Sequence, residues 1–467
     1  VPECWARHSQ AGVLRSVLSH QGSLGRPEPL VQLQTGRRTM TTATSPAPRR
    51  SIAHLLGMTI LMFGANFVWV SYNSILLLPL VQKVVAPEYS SLTVGVIGFL
   101  STLVGITVSI LSGIISDHST SRWGRRTPNI LIGAVVGLPF IAGAGIFHLS
   151  LPVIAISYLG MQFFTNVANG AWWPLLVDAV PEDQRGLASG LQGLFTLLAA
   201  AVGFVVVTYL NEIGHADRAL VVMGVVFALT GVINAWTIRP YDRPAPDARA
   251  IGLRKAFEGM FRVRTRVAVF FWLVFSGFLV NMGFSSLQYF ARDFMSVYLG
   301  LSNPDAGLRL MGLICLVITM LSAVGTGLLS DRVGRRKLIL WGALVSAVTT
   351  VLMGLTRDFA LFLFLAGIRS IASGPIVAVM PALASGLAPQ DEAGQYMAYN
   401  NLSTGVSSAV ASLLFGAILN LRGAATASSF VLLLQVAAAF YLFGGIVFQL
   451  KVPQEALDKQ IKAALPA

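Results

Sequence analysis

Residues 113–128 read GIISDHSTSRWGRRTP, and a shorter version, GLLSDRVGRRK, returns at 327–337. Each has a glycine, an aspartate four residues later (Asp117, Asp331), then Gly-Arg-Arg at Gly124, Arg125, Arg126 and Gly334, Arg335, Arg336. Both follow a long apolar run, so each cluster sits where such a run meets water. A basic turn alone marks the inner face of a membrane protein. That does not account for Gly113 and Gly327, nor for an aspartate at the surface. A small residue lets helices approach closely. An aspartate there can face a helix N-terminus or an arginine. Such a contact can stabilise one closure of two packed halves and must break in the other.

The rest of the chain fits that setting. Of 467 residues, 55% are hydrophobic and 11% charged, against roughly a quarter charged in soluble domains. The apolar residues form unbroken runs long enough to span a bilayer, without the alternation of a membrane barrel. The net charge of +13 is dispersed among particular loops, which argues against a nucleic-acid surface. Cys4 and Cys315 give no disulfide framework and no metal site.

The expected fold is all-α, with twelve membrane-spanning helices in two six-helix bundles. The spans read 52–80, 92–115, 129–147, 152–178, 187–210 and 218–238, then 267–298, 306–329, 338–356, 359–386, 395–420 and 426–450. The bundles cover 51–238 and 267–450, joined by a polar linker, 239–266, with a candidate interfacial helix near Leu253–Phe261. Residues 1–50 read as a disordered tail, in which 1–39 can be a mis-assigned start because Met40 opens a more usual leader. Residues 451–467 form the C-terminal tail. With both termini cytoplasmic, 26 of the 33 Lys and Arg fall on the inner side and six on the outer side or at helix ends. That split obeys the positive-inside rule.

A second echo supports duplication. PLLVDAVPEDQRG follows the fourth span and PALASGLAPQDEAG the tenth, with Gly186 and Gly394 separated by 208 positions, close to the 210 between Gly124 and Gly334.

The paired Gly-x-x-x-Asp…Gly-Arg-Arg loops in a twelve-span chain resemble those of the major facilitator superfamily, over about residues 51–452. The resemblance implies two bundles around a central cavity, alternating access, and a cytoplasmic gate built from the two clusters. The longer first loop, SDHSTSRWGRRTP, with PLLVDAVPEDQRGLASG and LQYFARD at 287–293, is similar to the sucrose–proton and glycoside–cation symporters. That group is expected to carry a coupling carboxylate in the fourth span. Here the stretch MQFFTNVANGAWWPLLVD offers Gln162, Asn166 and Asn169 instead, with Asp178 at the end of the span. Proton coupling through that site is therefore in doubt.

Polar residues inside spans rank as cavity candidates. Asn66, Trp69 and Asn73 recur at helical spacing on the first span, and Asn166, Asn169 and Trp173 on the fourth. Asn281 and Gln288 on the seventh, Arg369 on the tenth and Asn400 on the eleventh complete the set. Amides and aromatics with little charge suit a neutral polyhydroxylated ligand. The competing role of each amide is a helix–helix hydrogen bond. Arg369, mid-membrane, needs an ion partner or a wet cavity. Asp293 is the coupling candidate, although beside Arg292 it reads more readily as half of an extracellular gate pair.

These features point to a secondary transporter of a sugar or glycoside in the plasma membrane, proton-coupled, with the bilayer as its setting and no required oligomer. A drug or metabolite exporter is the alternative within transport. A membrane enzyme or receptor lacks support: no metal-histidine pair, nucleophile elbow, nucleotide loop or cofactor motif occurs.

Overall fold

The computed structural model describes residues 49–242, 268–387, 393–421 and 425–453. The expected tails, the proposed interfacial helix and nearly all of the linker lie outside the described residues. Among the described residues, twelve helices are long and apolar enough to cross a membrane. In chain order they are α1 (Ile52–Gln82), α2 (Pro87–Asp117), α3 (Thr127–Ile146), α4 (Leu151–Trp172), α5 (Arg185–Glu212) and α6 (Ala216–Ile238). The second set is α7 (Ala268–Leu287), α8 (Pro304–Thr326), α9 (Arg335–Met353), α10 (Phe359–Pro381), α11 (Tyr399–Asn420) and α12 (Ala427–Lys451).

Local chemistry sets several boundaries. Pro87, Pro128 and Pro152 lie in the first turns of α2, α3 and α4, where a missing N–H costs nothing. In α1, a π-helical turn over Tyr72–Leu76 precedes Pro79, whose ring would otherwise clash with the preceding turn. Two spans end earlier than the sequence suggests. The fourth, expected to reach 178, stops at Trp172 ahead of Pro174, and a short helix resumes at Leu175–Ala179. The seventh, expected to reach 298, tightens into a 3-10 turn at Ser285–Leu287 and resumes only at Ala291.

α1 to α6 form one bundle and α7 to α12 the other. They meet mainly where α2 packs on α11 and α5 on α8, pairings that the duplication relates to each other. The α2–α11 seam is made by backbone. A Cβ on Gly95 would lie 2.6 Å from the Ser412 carbonyl oxygen, and one on Gly416 would lie 2.6 Å from that of Ser91. Only glycine permits this approach. Below, the membrane face that bears the two Gly-Arg-Arg turns is the motif side, and the other is the distal side.

Candidate functional site

The first Gly-Arg-Arg turn is clamped from three directions. Gly124 has φ +106°, and a Cβ there would lie 2.2 Å from Asp242 Oδ2. Asp242, just past α6, accepts hydrogen bonds from the backbone N–H of Arg125 (3.2 Å), Arg126 (2.8 Å) and Thr127 (2.7 Å), and from Thr127 Oγ1 (2.7 Å). It thus satisfies the first donors of α3 from a different helix, as an N-cap would. Arg126, only 2% exposed, reaches Asp117 Oδ1 at 3.0 Å and the Ala171 carbonyl at 3.0 Å. It also bonds Asp178, which Arg125 shares. Gly113 serves the α2–α4 contact: a Cβ there would lie 3.3 Å from the Gly170 carbonyl oxygen.

Gly334 of the second turn, φ +93°, opens α9, and nothing lies within 4 Å of a Cβ built there. Arg336 donates to the Gln449 carbonyl at 2.6 Å, and Arg335 precedes it. Gly327 and Asp331 fall within the helix Pro304–Val333, but their side-chain surroundings lie outside what is described.

Between the bundles lies a cavity of about 600 Å³. Asn66 and Trp69 of α1, Gln162, Asn166 and Asn169 of α4, and Trp173 line one wall. Gln192 and Thr196 of α5 extend it, and Asn281, Ser285 and Gln288, with Thr404 and Ser408 of α11, face them. None of the described lining residues is charged.

Seven of the ten residues expected from the sequence are brought together here, and three are not. Asn73 lies one turn beyond the lining, where its amide donates to the Trp69 carbonyl at 2.7 Å and its oxygen accepts from Tyr158. Arg369 turns into the second bundle, with Nη1 3.5 Å from the Tyr441 hydroxyl of α12. Asn400 is replaced on the cavity wall by Thr404 and Ser408, one and two turns on. Depth in the membrane was readable for these three, but facing direction was not.

Ties between the halves gather on the distal side. Gln82 Nε2 donates to Asp293 Oδ2 at 2.7 Å, and Asn211 to Asp305 at 2.9 Å. Glu212 accepts from Asn303 at 2.5 Å and from Arg309 at 3.1 Å. The expected Arg292–Asp293 pair does not form. Arg292 instead grips Asp305 at 3.1 and 3.2 Å, leaving Asp293, 5% exposed, to Gln82. Asp293 lies beyond the end of α7. Burial pushes its carboxyl above the ordinary range, while the Gln82 hydrogen bond and the Arg292 charge pull the other way. Gln82, Asn211, Glu212 and Asp305 were missed from the sequence because each sits at a helix end, where polar residues are ordinary.

Comparison with known proteins accords with this architecture. A model described as Major Facilitator Superfamily matches residues 51–328 and 275–466. Solute carrier family 45 member 4 of Mus musculus is 29% identical over 159 residues, 31% of this chain and 20% of that protein. The general alpha-glucoside permease of Schizosaccharomyces pombe is 26% identical over 197 residues, 37% of this chain and 34% of that protein. The chain thus spans about a fifth to a third of the length of these relatives. Among solved structures, a bacterial homolog of the human lysosomal transporter Spinster, inward-facing and occupied, superposes with TM-score 0.64 at 13% identity, covering 87% of this chain and 97% of that one.

Proposed function

We propose a substrate class and a direction of opening for this chain, which belongs to the Major Facilitator Superfamily and is a membrane transporter. The substrate is a neutral polyhydroxylated solute, a sugar or glycoside, carried by alternating access across the plasma membrane with both termini cytoplasmic. The observation that carries this reading is the uncharged cavity lined by amides, hydroxyls and two tryptophans. Tryptophan faces cover the C–H side of a sugar ring while amides exchange hydrogen bonds with its hydroxyls. The alpha-glucoside permease resemblance supports the same class.

With the motif side cytoplasmic, the polar ties close the extracellular end, and this conformation faces inward. The Asp117–Arg126–Asp178 cluster, with Asp331, Arg335 and Arg336 in the other half, acts as the cytoplasmic gate. Proton coupling falls to Asp293, since α4 offers only amides. Burial on closing the distal end favours the proton on this carboxyl, against the pull of the Gln82 hydrogen bond, so a proton taken from outside favours closure of that end.

The test is uptake of labelled sucrose and maltose into liposomes containing the protein, with and without an inside-alkaline gradient. Accumulation only with the gradient is the expected result. Equilibration indifferent to pH removes the coupling claim, and no movement by folded protein removes the sugar claim. Asp117→Asn is expected to slow turnover at saturating substrate while leaving binding measurable.

A further inference from the structure

Three asparagines of the cavity wall have an amide orientation fixed by their own helices. Asn66 donates its Nδ2 to the Met62 carbonyl at 2.8 Å, Asn166 to Gln162 at 2.8 Å, and Asn281 to Gly277 at 2.8 Å. A backbone carbonyl can only accept, so the NH₂ must be the end that faces it, which fixes the amide orientation chemically. Each Oδ1 is therefore turned the other way, with no donor among the described residues. Asn169 Oδ1 is likewise buried and without a partner.

The threonines of the cavity repeat the pattern. The hydroxyl of Thr102 donates to the Gly98 carbonyl at 2.8 Å and that of Thr165 to Met161 at 2.7 Å. Thr196 donates to Gln192 at 3.0 Å and Thr404 to Asn400 at 3.2 Å. Their protons point at main chain, and Thr196 Oγ1 also accepts from Asn66 Nδ2 at 3.5 Å. Donors remain elsewhere on the wall: Gln288 Nε2 is buried without a partner, and Gln162, Gln192, Trp69 and Trp173 also line it. Just beyond the lining the same local bond occurs at Asn73, but there Tyr158 supplies the missing donor. At Asn66, Asn166 and Asn281 no described residue does.

We infer that Asn66, Asn166 and Asn281 form an oriented acceptor surface in this cavity, which selects the solute by the hydrogen bonds the solute donates to it. This deepens the sugar reading and rests on it for the identity of the scaffold. A hydroxyl facing Asn66, Asn166 or Asn281 acts as a donor. Replacing it with fluorine or a methyl ether leaves two acceptors opposed, whereas an amino group at that place keeps the contact. Dicarboxylate sugar acids, which bring acceptors and negative charge, meet these oxygens unfavourably and find no cation among the described lining residues. An unmet buried acceptor costs about the equivalent of a tenfold change in affinity.

The experiment measures thermal stabilisation of the full-length protein in nanodiscs. The probes are methyl glucoside, sucrose, their deoxyfluoro, O-methyl and amino-deoxy analogues at successive positions, glucarate, and inositol with its O-methyl ethers. At one or more positions, the fluoro and methyl analogues should bind about tenfold more weakly than the parent and the amino analogue no more weakly, with glucarate inert. In Asn166→Leu the fluoro-to-parent difference should shrink toward unity at the position that Asn166 reads, a change that general loosening would not produce. Fluoro or methyl analogues matching the parent at every position, or glucarate as the best ligand, would overturn the inference. Inositol binding with its ethers inert, and no glycoside binding, would retire the sugar reading and leave the acceptor surface standing. If no probe stabilises folded protein, both fall.

Discussion

The two Gly-Arg-Arg turns share a sequence but not a support. In the first, Arg126 is buried between Asp117 and Asp178, and Asp242 holds three consecutive backbone donors. In the second, Arg336 bonds a backbone carbonyl of α12. Asp331 repeats Asp117, but the positions that would repeat the other two anchors carry no carboxylate. Counting 208 on from Asp178 gives Gly386, and 210 on from Asp242 gives Val452. Duplication preserved the turn, while two of the carboxylates that pin the first copy have no equivalent in the second. The first half therefore carries two anchors at the motif side that the second does not repeat.

That asymmetry can be broken in three ways. Arg126→Ala removes a buried guanidinium that bonds Asp117, Asp178 and the Ala171 carbonyl, although Asp178 keeps Arg125, and should cost about 2–3 kcal/mol of stability. Arg336→Ala should cost only about 1 kcal/mol, as for one hydrogen bond. Denaturant unfolding of the purified protein in detergent compares them, and equal losses would mean the halves are pinned alike. Asp242→Ala strands the donors at the start of α3 and should cost about 3 kcal/mol, with Asp242→Asn recovering part of it because one acceptor remains. Hydrogen exchange should locate the loss at 124–130, and protection unchanged there would remove Asp242 from the clamp. Gly334→Ala should cost about 1 kcal/mol from its left-handed backbone alone. Gly124→Ala should cost about 2 kcal/mol, because its Cβ also meets the Asp242 carboxylate. Melting temperatures of the two alanine variants sharpen the contrast, and a smaller shift for Gly124→Ala would contradict the crowding.

Much of this was legible in the chain. Unbroken apolar runs announce spans because every backbone group in a bilayer must be satisfied within the helix. Asn66 and Trp69, or Asn166, Asn169 and Trp173, share faces by spacing, and the cavity gathers them. What was not legible depends on long-range geometry. Asp242 lies in a stretch read as linker, and its partners are about 115 residues away. The break after Leu287 has no proline or glycine to announce it within SSLQYFARD. Arg369 was placed at the right depth, yet which neighbour it met depended on the rotation of α10, which an apolar run does not encode.

The glycine seam between α2 and α11 has a mechanical consequence. Where Gly95 and Gly416 meet the opposing backbone, one short hydroxyl, Ser412 Oγ, bonds the Gly95 carbonyl at 3.2 Å, so little side chain has to disengage. Tilting one half against the other at that joint slides backbone past backbone, so it works as a bearing with one small catch. Resistance to the swing then resides in the latch at the distal end, in bonds such as Gln82–Asp293 and Asn211–Asp305. Hinge and lock are separate parts, and each can be tuned without disturbing the other.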